Sequence, residues 1–224
     1  MEAFGDVSGN FRSLIKHECE VVVVGVVMAT DRVAAARCPK RTVRDVQNVD
    51  EAKWNELTDV QKRRMIECLS GDDSLEFGYT LFKADHLHQL EYNYLLHQDV
   101  SVPEPWDLAL IAYAYTEILF QPGADELRRL LFYFDGVAWQ KQANRVSGKI
   151  QHLVDLEQLV VSDSAQVKGV QAADCFAGAV AEDERHGTDY LGEFPADTVT
   201  EAVPGGLVQL EQDLRKYDKN QARR

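Results

Sequence analysis

The chain has 224 residues and a formal net charge of −13, because 24 Lys and Arg stand against 37 Asp and Glu. This length suits one large domain or a domain with an insertion. An apolar fraction of 45% supports a hydrophobic core and excludes wholesale disorder. The acidic balance opposes non-specific binding to nucleic acid. It fits a halophile-like protein in a salt-rich cytoplasm, where salt screens the repulsion between carboxylates.

The cysteines and the apolar runs bear on the compartment. The cysteines are scattered without the spacing of a metal site; they are Cys19, Cys38, Cys68 and Cys175. We expect buried free thiols in a reducing compartment. No run approaches the roughly 18 apolar residues that a membrane span requires, and the N-terminus lacks the order of a signal peptide. The sequence therefore predicts a cytoplasmic protein that does not associate with a membrane.

The first part of the chain predicts strands. Residues 1–7 form a short segment in which Asp6 stands where a strand would give way to a turn. Residues 20–30 are β-branched and almost continuously apolar, as in a buried central strand. Residues 33–38 are expected to return as a third strand and complete a hairpin.

Beyond residue 38 the pattern alternates between helices and single strands. After a polar, basic loop over residues 39–49, we expect helices over residues 50–69, 84–97, 106–120, 139–154, 167–184 and 207–219. Strands are expected over residues 75–83, 130–134 and 156–162. Parallel strands need crossover helices, so this alternation predicts an α/β fold with a mixed sheet.

The helix predicted over residues 167–184 carries an acid among small residues. Gln171 and Asp174 are three residues apart and lie on one helix face. Ala177 and Gly178, close to that face, allow the helix to approach a sheet closely. An acid placed there is costly unless a positive group meets it, and a metal ion is one candidate. The alternative is an ordinary amphipathic helix with one solvated Asp.

Other acids follow predicted strands. Asp6 ends the first strand and Asp135 ends the strand over residues 130–134, while Asp85 lies just past another strand. Sites in α/β folds form at the carboxyl ends of strands. Carboxylates that converge there repel one another unless divalent metal neutralises them. Two Mg²⁺ ions about 3.5–4 Å apart can support the hydrolysis of a phosphodiester. We therefore expect Asp6, Asp135 and Asp174 to form one site.

Two stretches resemble the motifs of DUF3800 proteins. Residues 6–11, DVSGNF, resemble the DESG opening of that family. Residues 169–174, GVQAAD, continued by AGA at 177–179, resemble its GxQxAD…AGA closing motif. The strand that ends at Asp135 and the Asp163-Ser164 step fit the same layout.

The resemblance implies a ribonuclease H-like mixed sheet flanked by helices, with a helical insertion and a C-terminal helix. The domain would occupy residues 1–186, with the helical elaboration at about residues 84–122. Residues 187–224 would form a loop, an amphipathic helix and a basic tail. The resemblance also implies a nuclease-type site that holds Mg²⁺ or Mn²⁺. Its catalytic residues would be Asp6, Asp135, Gln171 and Asp174, with the three acids as metal ligands and Gln171 orienting water or a phosphate oxygen.

One departure from the family pattern matters for activity. The second acid of the opening motif is Val7 in this chain. Because successive strand residues face opposite ways, Val7 can point into the core while Asp6 keeps the site. The alternative is that Val7 removes a metal ligand, or an acid that supports one, and leaves weak activity or none. The first alternative predicts a metal-dependent nuclease, and the second predicts an inactive ribonuclease H-like module that binds nucleic acid or protein.

Basic residues are candidates for contact with a phosphate backbone. Lys40, Arg41 and Arg44 lie together in the predicted loop. Lys83, at the end of its strand, resembles a lysine often seen at the comparable place in the family. The basic residues of the C-terminal tail are expected to be solvated. The partner expected for these residues is DNA or RNA.

Overall fold

The computed structural model describes residues 1–44, 51–83, 106–120 and 129–202. Its strands are β1 (Glu2–Ser8), β2 (Val21–Ala29), β3 (Leu75–Lys83), β4 (Leu131–Asp135), β5 (Gln158–Ser162) and β6 (Val199–Glu201). Its α-helices are α1 (Phe11–Ile15), α2 (Arg32–Val43), α3 (Asp59–Ser70), α4 (Trp106–Leu119), α5 (Gln140–Leu153) and α6 (Lys168–His186). No helix within the described ranges combines the length and apolar character needed to cross a membrane.

The strands form one mixed sheet in the order β5-β4-β1-β2-β3-β6. β1, β2 and β3 make an antiparallel meander, and β4 and β5 extend the sheet parallel to β1. β6 lies on the other edge, parallel to β3. This arrangement confirms the predicted α/β class with a mixed sheet, and it brings the carboxyl ends of β1, β4 and β5 to one edge.

Every residue of β2 is buried, because helices cover both faces of the sheet. On one face, α4 and α5 pack over a core that includes Tyr115, Phe132 and Phe134. On the other face, α2, α3 and α6 pack over a core that includes Phe77 and Phe176. The continuous apolar run of β2 is thus explained by burial on both sides.

α6 approaches the sheet closely, and small residues make this possible. A Cβ added at Gly25 of β2 would lie 2.8 Å from the Cβ of Ala177. Gly25 pairs with Asp6 across the β1–β2 ladder. Asp174 lies one helical turn before Ala177, so the approach carries its carboxyl to the level of Asp6.

The strand predicted over residues 33–38 is wrong, since these residues belong to α2. Asp31 caps the helix by accepting a hydrogen bond from the Val33 N–H, and the alanines that follow favour helix. The expected basic loop is therefore partly the end of α2, and Pro39 lies inside that helix. The next helix starts later than predicted, because Thr58 caps α3 in a capping box with Gln61.

The remaining elements largely match the sequence predictions. β3, α4, β4, α5, β5 and α6 occur with small shifts at their ends. The sheet also gains β6 from the segment predicted as a loop after residue 187. Asp85, the helix over residues 84–97, and the C-terminal helix and tail lie outside the described residues.

The expectation of four free thiols is wrong for one pair. Cys38 of α2 and Cys68 of α3 form a disulfide, whereas Cys19 and Cys175 are free. The disulfide closes a loop with a sequence separation of 30 residues. Disulfides persist mainly in oxidising environments, so the cysteines no longer support the reducing compartment inferred from them.

Reduction of this disulfide is expected to lower the free energy of unfolding by about 3–4 kcal/mol, because the open loop has more unfolded conformations. Urea unfolding with and without a phosphine reductant measures the change. A Cys19→Ser variant, which keeps the disulfide, should show the same sensitivity to reductant. Identical midpoints for oxidised and reduced protein would contradict the bridge.

Replacement of Gly178 by Ala is expected to destabilise the fold by about 1–3 kcal/mol, as overpacking does. A Cβ at this position would overlap the Trp54 ring. Gly148→Ala in α5 is the matched control, because nothing lies within 4 Å of its added Cβ. There, Ala in the helix should add about 0.5–1 kcal/mol. Urea unfolding that shows both variants stabilised would refute the close packing of α6 on Trp54.

Candidate active site

A cavity of about 520 Å³ lies at the carboxyl ends of β1 and β4, beside α6. Its walls combine acids, cations and backbone from separate parts of the chain. Among the residues that line it are Asp6, Val7, Glu51, Trp54, Lys62, Asp135, Ser164, Gln171, Asp174, Glu182, Arg185 and His186. The structure therefore brings the three predicted acids and Gln171 to one place, while their chemical roles stay predictions.

Alternation along β1 separates Asp6 from its neighbours. Phe4 belongs to the core under α6, whereas Ala3 and Val7 pack against the core on the opposite face. Asp6 shares the side of Phe4, because side chains alternate along a strand. The structure thus agrees with the first reading of Val7: it packs against the core while Asp6 faces the site.

Asp135 reaches the same level from the neighbouring strand. Gly5 of β1 pairs with Phe134 of β4 in parallel register, so Asp6 and Asp135 are the next residues on the two strands. Burial raises the pKa of Asp135, and the negative charges of Asp163 and Glu51 raise it further. Hydrogen bonds from backbone N–H groups, including that of Ser164, partly offset this rise.

Asp6 and Asp174 form a hydrogen-bonded carboxyl pair. Burial raises the pKa of Asp6 well above its ordinary value, and the charges of Asp174 and Asp135 add to the rise. Burial likewise raises the pKa of Asp174, to about 6, although hydrogen bonds from Trp54 and Asp6 oppose it. Two carboxyls this close cannot both ionise at low cost, so the pair holds a proton over part of the acidic range.

The segment over residues 51–54 is fixed to α6 by its backbone. The Trp54 N–H donates to Oδ2 of Asp174 at 2.9 Å, and the Ala52 N–H donates to Oε1 of Gln171 at 3.0 Å. The Gln171 amide donates in turn to the Ser164 carbonyl at 2.7 Å. The buried Gln171 side chain thus links two segments, the one over residues 51–54 and the one that contains Ser164, to α6. This differs from the predicted role, in which the same amide orients water or phosphate.

Cations on the far wall of the cavity were missed by sequence reasoning. Lys62 of α3 forms an ion pair with Glu182 at 2.5 Å and lies 4.9 Å from the centre of the Trp54 ring. The Trp54 indole N–H donates to the same carboxylate at 2.8 Å. Arg185 and His186 of α6 also line the cavity. These residues come from distant parts of the chain, and no local motif marks them.

The cations that the sequence favoured lie elsewhere. Lys40, Arg41 and Arg44 line a separate depression of about 220 Å³ beside α2. Lys83 forms an ion pair with Glu184 near the end of α6. None of these four residues lines the acidic cavity. Their predicted contact with nucleic acid would therefore occur away from the acids.

Oxygen donors dominate the acidic end of the cavity, and they suit hard divalent cations. In the described part of the chain, however, no three Asp, Glu, His or Cys side chains are arranged closely enough to hold a metal ion. The Asp6–Asp174 pair is drawn together by a hydrogen bond instead. The donor chemistry fits a divalent ion, and the present arrangement is that of a proton-sharing pair.

Asp6→Asn is expected to stabilise the metal-free protein at pH 7.5 by on the order of 1–2 kcal/mol. Both pKa values of the pair are raised, that of Asp174 to about 6. Between pH 4 and 6 the folded state therefore keeps protons that the unfolded chain releases, so stability falls as pH rises. The Asn amide can donate to Asp174 without adding a charge.

Urea unfolding in chelator at pH 4.5 and pH 7.5 measures this effect, which should be smaller at the lower pH. Asp73→Asn, an exposed acid outside the cavity, should change neither midpoint. A less stable Asp6→Asn protein at pH 7.5 would contradict a buried, proton-sharing pair.

Comparison with known proteins identifies the fold. No protein-family model matches the sequence, and no curated protein matches it, so the DUF3800 resemblance stays a prediction. The PCNA:RNase HII complex from Archaeoglobus fulgidus matches with a TM-score of 0.51 and 16% identity, over 82% of this chain and 73% of that one. Bst-RNase HIII in complex with Mn²⁺ matches with a TM-score of 0.50 and 15% identity, over 82% and 52% of the two chains. The chain therefore has the ribonuclease H-like fold.

Proposed function

We propose that the protein is a divalent-metal-dependent nuclease that hydrolyses phosphodiester bonds of DNA or RNA. The observation that carries this proposal is the meeting of Asp6, Asp135 and Asp174 at one edge of a ribonuclease H-like sheet. The matched Bst-RNase HIII structure contains Mn²⁺, and the matched A. fulgidus structure is a complex of PCNA with RNase HII. These likenesses support the proposal through the fold alone.

Asp6, Asp135 and Asp174 are the residues that would hold Mg²⁺ or Mn²⁺. Their raised pKa values support this assignment, because burial raises the pKa of all three acids and the charge of Asp135 raises those of Asp6 and Asp174 further. A divalent ion would take the place of the shared proton and remove the repulsion. When bound, such an ion supplies Lewis-acid stabilisation of the charge that develops on a phosphodiester during hydrolysis.

The chain itself supplies orientation around these acids. The Trp54 N–H fixes one oxygen of Asp174. Gln171 holds the backbone of Ala52 and of Ser164 next to the acids. Lys62 and Arg185 place positive groups along the same cavity, and His186 adds an imidazole; phosphates that flank the reacting one could bind there. The cavity thus offers an acidic end for chemistry and a more basic end for the polymer.

A second candidate function is a catalytically inactive module that binds nucleic acid. Two observations favour it: β1 carries Val7 where the DUF3800 opening motif has a second acid, and no metal-holding group of three side chains is arranged within the described residues. Such a module would bind a strand through the basic wall and cut nothing.

Calorimetric titration of the chelator-treated protein with Mn²⁺ is expected to give binding that Asp174→Asn and Asp135→Asn each weaken by at least about tenfold, as loss of a metal-site group does. Cleavage of labelled single-stranded, duplex and hybrid oligonucleotides in Mn²⁺ should fall in parallel. Asp73→Asn is the control for a charge change outside the cavity.

The two candidate functions predict different results in this pair of assays. Mn²⁺ binding together with cleavage supports the nuclease. Oligonucleotide binding in chelator, without Mn²⁺ binding or cleavage, supports the inactive module and refutes the nuclease.

A further inference from the structure

The Cys38–Cys68 disulfide joins the two helices that lead into and out of the segment over residues 51–54. α2 and α3 run antiparallel, because the bridge pairs Cys38 with Cys68 while the Thr42 hydroxyl lies 3.9 Å from the Met65 sulfur. The bridge therefore closes a helical hairpin, and the segment over residues 51–54 lies in the connection between its two helices.

This connection is the part of the hairpin that meets the acids of the cavity. The Trp54 N–H donates to Asp174 at 2.9 Å, and the Ala52 N–H donates to Gln171 at 3.0 Å. The Trp54 indole N–H also donates to Glu182, further along α6. All three donors lie inside the loop that the disulfide closes. Movement of the hairpin away from α6 would therefore break a hydrogen bond of Asp174.

α3 is the more weakly held half of this hairpin. Three of its residues, Met65, Ile66 and Leu69, are buried, and all the others are partly or fully exposed. α2, by contrast, places the fully buried Ala34 and Ala35 in the core that it shares with α6. An element with few buried apolar contacts opens locally at a lower free energy than the core does. The disulfide opposes such opening, because it ties α3 to the better buried α2.

The bridge is accessible to a reductant from one side. Cys38 is 0% exposed, whereas Cys68 is only partly buried. A thiolate of a dithiol therefore attacks the Cys68 sulfur, the disulfide bond breaks, and Cys38 leaves as a thiolate that takes up a proton. The second thiol of the reductant then displaces Cys68, and the reductant departs as a disulfide. Two electrons and two protons pass in this way to the cysteine pair.

We propose that Cys38 and Cys68 form a thiol–disulfide switch that controls this wall of the cavity. In the oxidised protein the bridge keeps α3 on α2, and so it holds the segment over residues 51–54 against α6. Reduction by a dithiol lets α3 and this segment open together, and Asp174 then loses the hydrogen bond from Trp54. The inference is independent of the proposed function, because everything that changes is a contact within the chain.

Amide hydrogen exchange on the full chain, before and after treatment with dithiothreitol, tests the switch. Alkylation in denaturant confirms the reduction, because it then labels all four cysteines instead of the two free ones, Cys19 and Cys175. Peptides that contain residues 51–54 are expected to exchange at least about tenfold faster after reduction, whereas β1 and β2 keep their rates, since only the hairpin opens. Reoxidation should restore the slow exchange.

Two variants serve as controls for this experiment. Cys19→Ser keeps the bridge and removes a free thiol, and it should respond to dithiothreitol as the wild type does. Cys68→Ser lacks the bridge, and its residues 51–54 should exchange rapidly with or without dithiothreitol. Should Cys68→Ser fail to fold, the reduced and reoxidised wild type gives the same comparison.

Three results would overturn the switch. The first is a bridge that resists dithiothreitol in the folded protein, and the second is unchanged exchange at residues 51–54 after reduction. The third is equal acceleration in every strand, which is the sign of a bridge that stabilises the fold as a whole. Mn²⁺ binding and cleavage decide the proposed function separately, so failure of the one proposal is distinguishable from failure of the other.

Discussion

The close approach of α6 to the centre of the sheet is the constraint on which the site depends. Gly25 leaves room for Ala177, and Gly25 is the ladder partner of Asp6. With a larger residue at either position the helix would sit further out, and Asp174, one turn away, would no longer meet Asp6. The same approach leaves Gly178 against the Trp54 ring, so one helix face docks both the sheet and the segment over residues 51–54.

This packing places acids where their charges are costly. Asp6 and Asp174 share a hydrogen bond because burial and mutual repulsion favour a proton between them. The cost of ordering such a pair must be offset by the surrounding apolar packing, which is extensive on both faces of the sheet. A fold that retains this unfavourable group while filling the rest of its interior efficiently is typical of a functional site.

The part of the site that local sequence rules describe was predictable. The period of the apolar residues predicts where the strands end, and it places Gln171 and Asp174, three residues apart, on one helix face. The small residues of α6 predict its close packing on the sheet. α2 was mispredicted because short apolar runs suit strand and helix equally, and the capping role of Asp31 decides the outcome. Glu51 and Trp54 could not be found from the sequence, because their hydrogen-bond partners, Ser164 and Asp174, lie 113 and 120 residues further along the chain.

The disulfide connects these observations. Cys38 and Cys68 bracket the segment over residues 51–54, so the bridge closes a loop that contains every backbone group donated to α6 from this region. Closing that loop removes conformations from the unfolded chain and lowers the entropy lost when the segment docks. Residues that are distant in sequence thereby reach the acids at a smaller cost than an open loop would impose. The short fastened segment can then present the Ala52 and Trp54 N–H groups to Gln171 and Asp174.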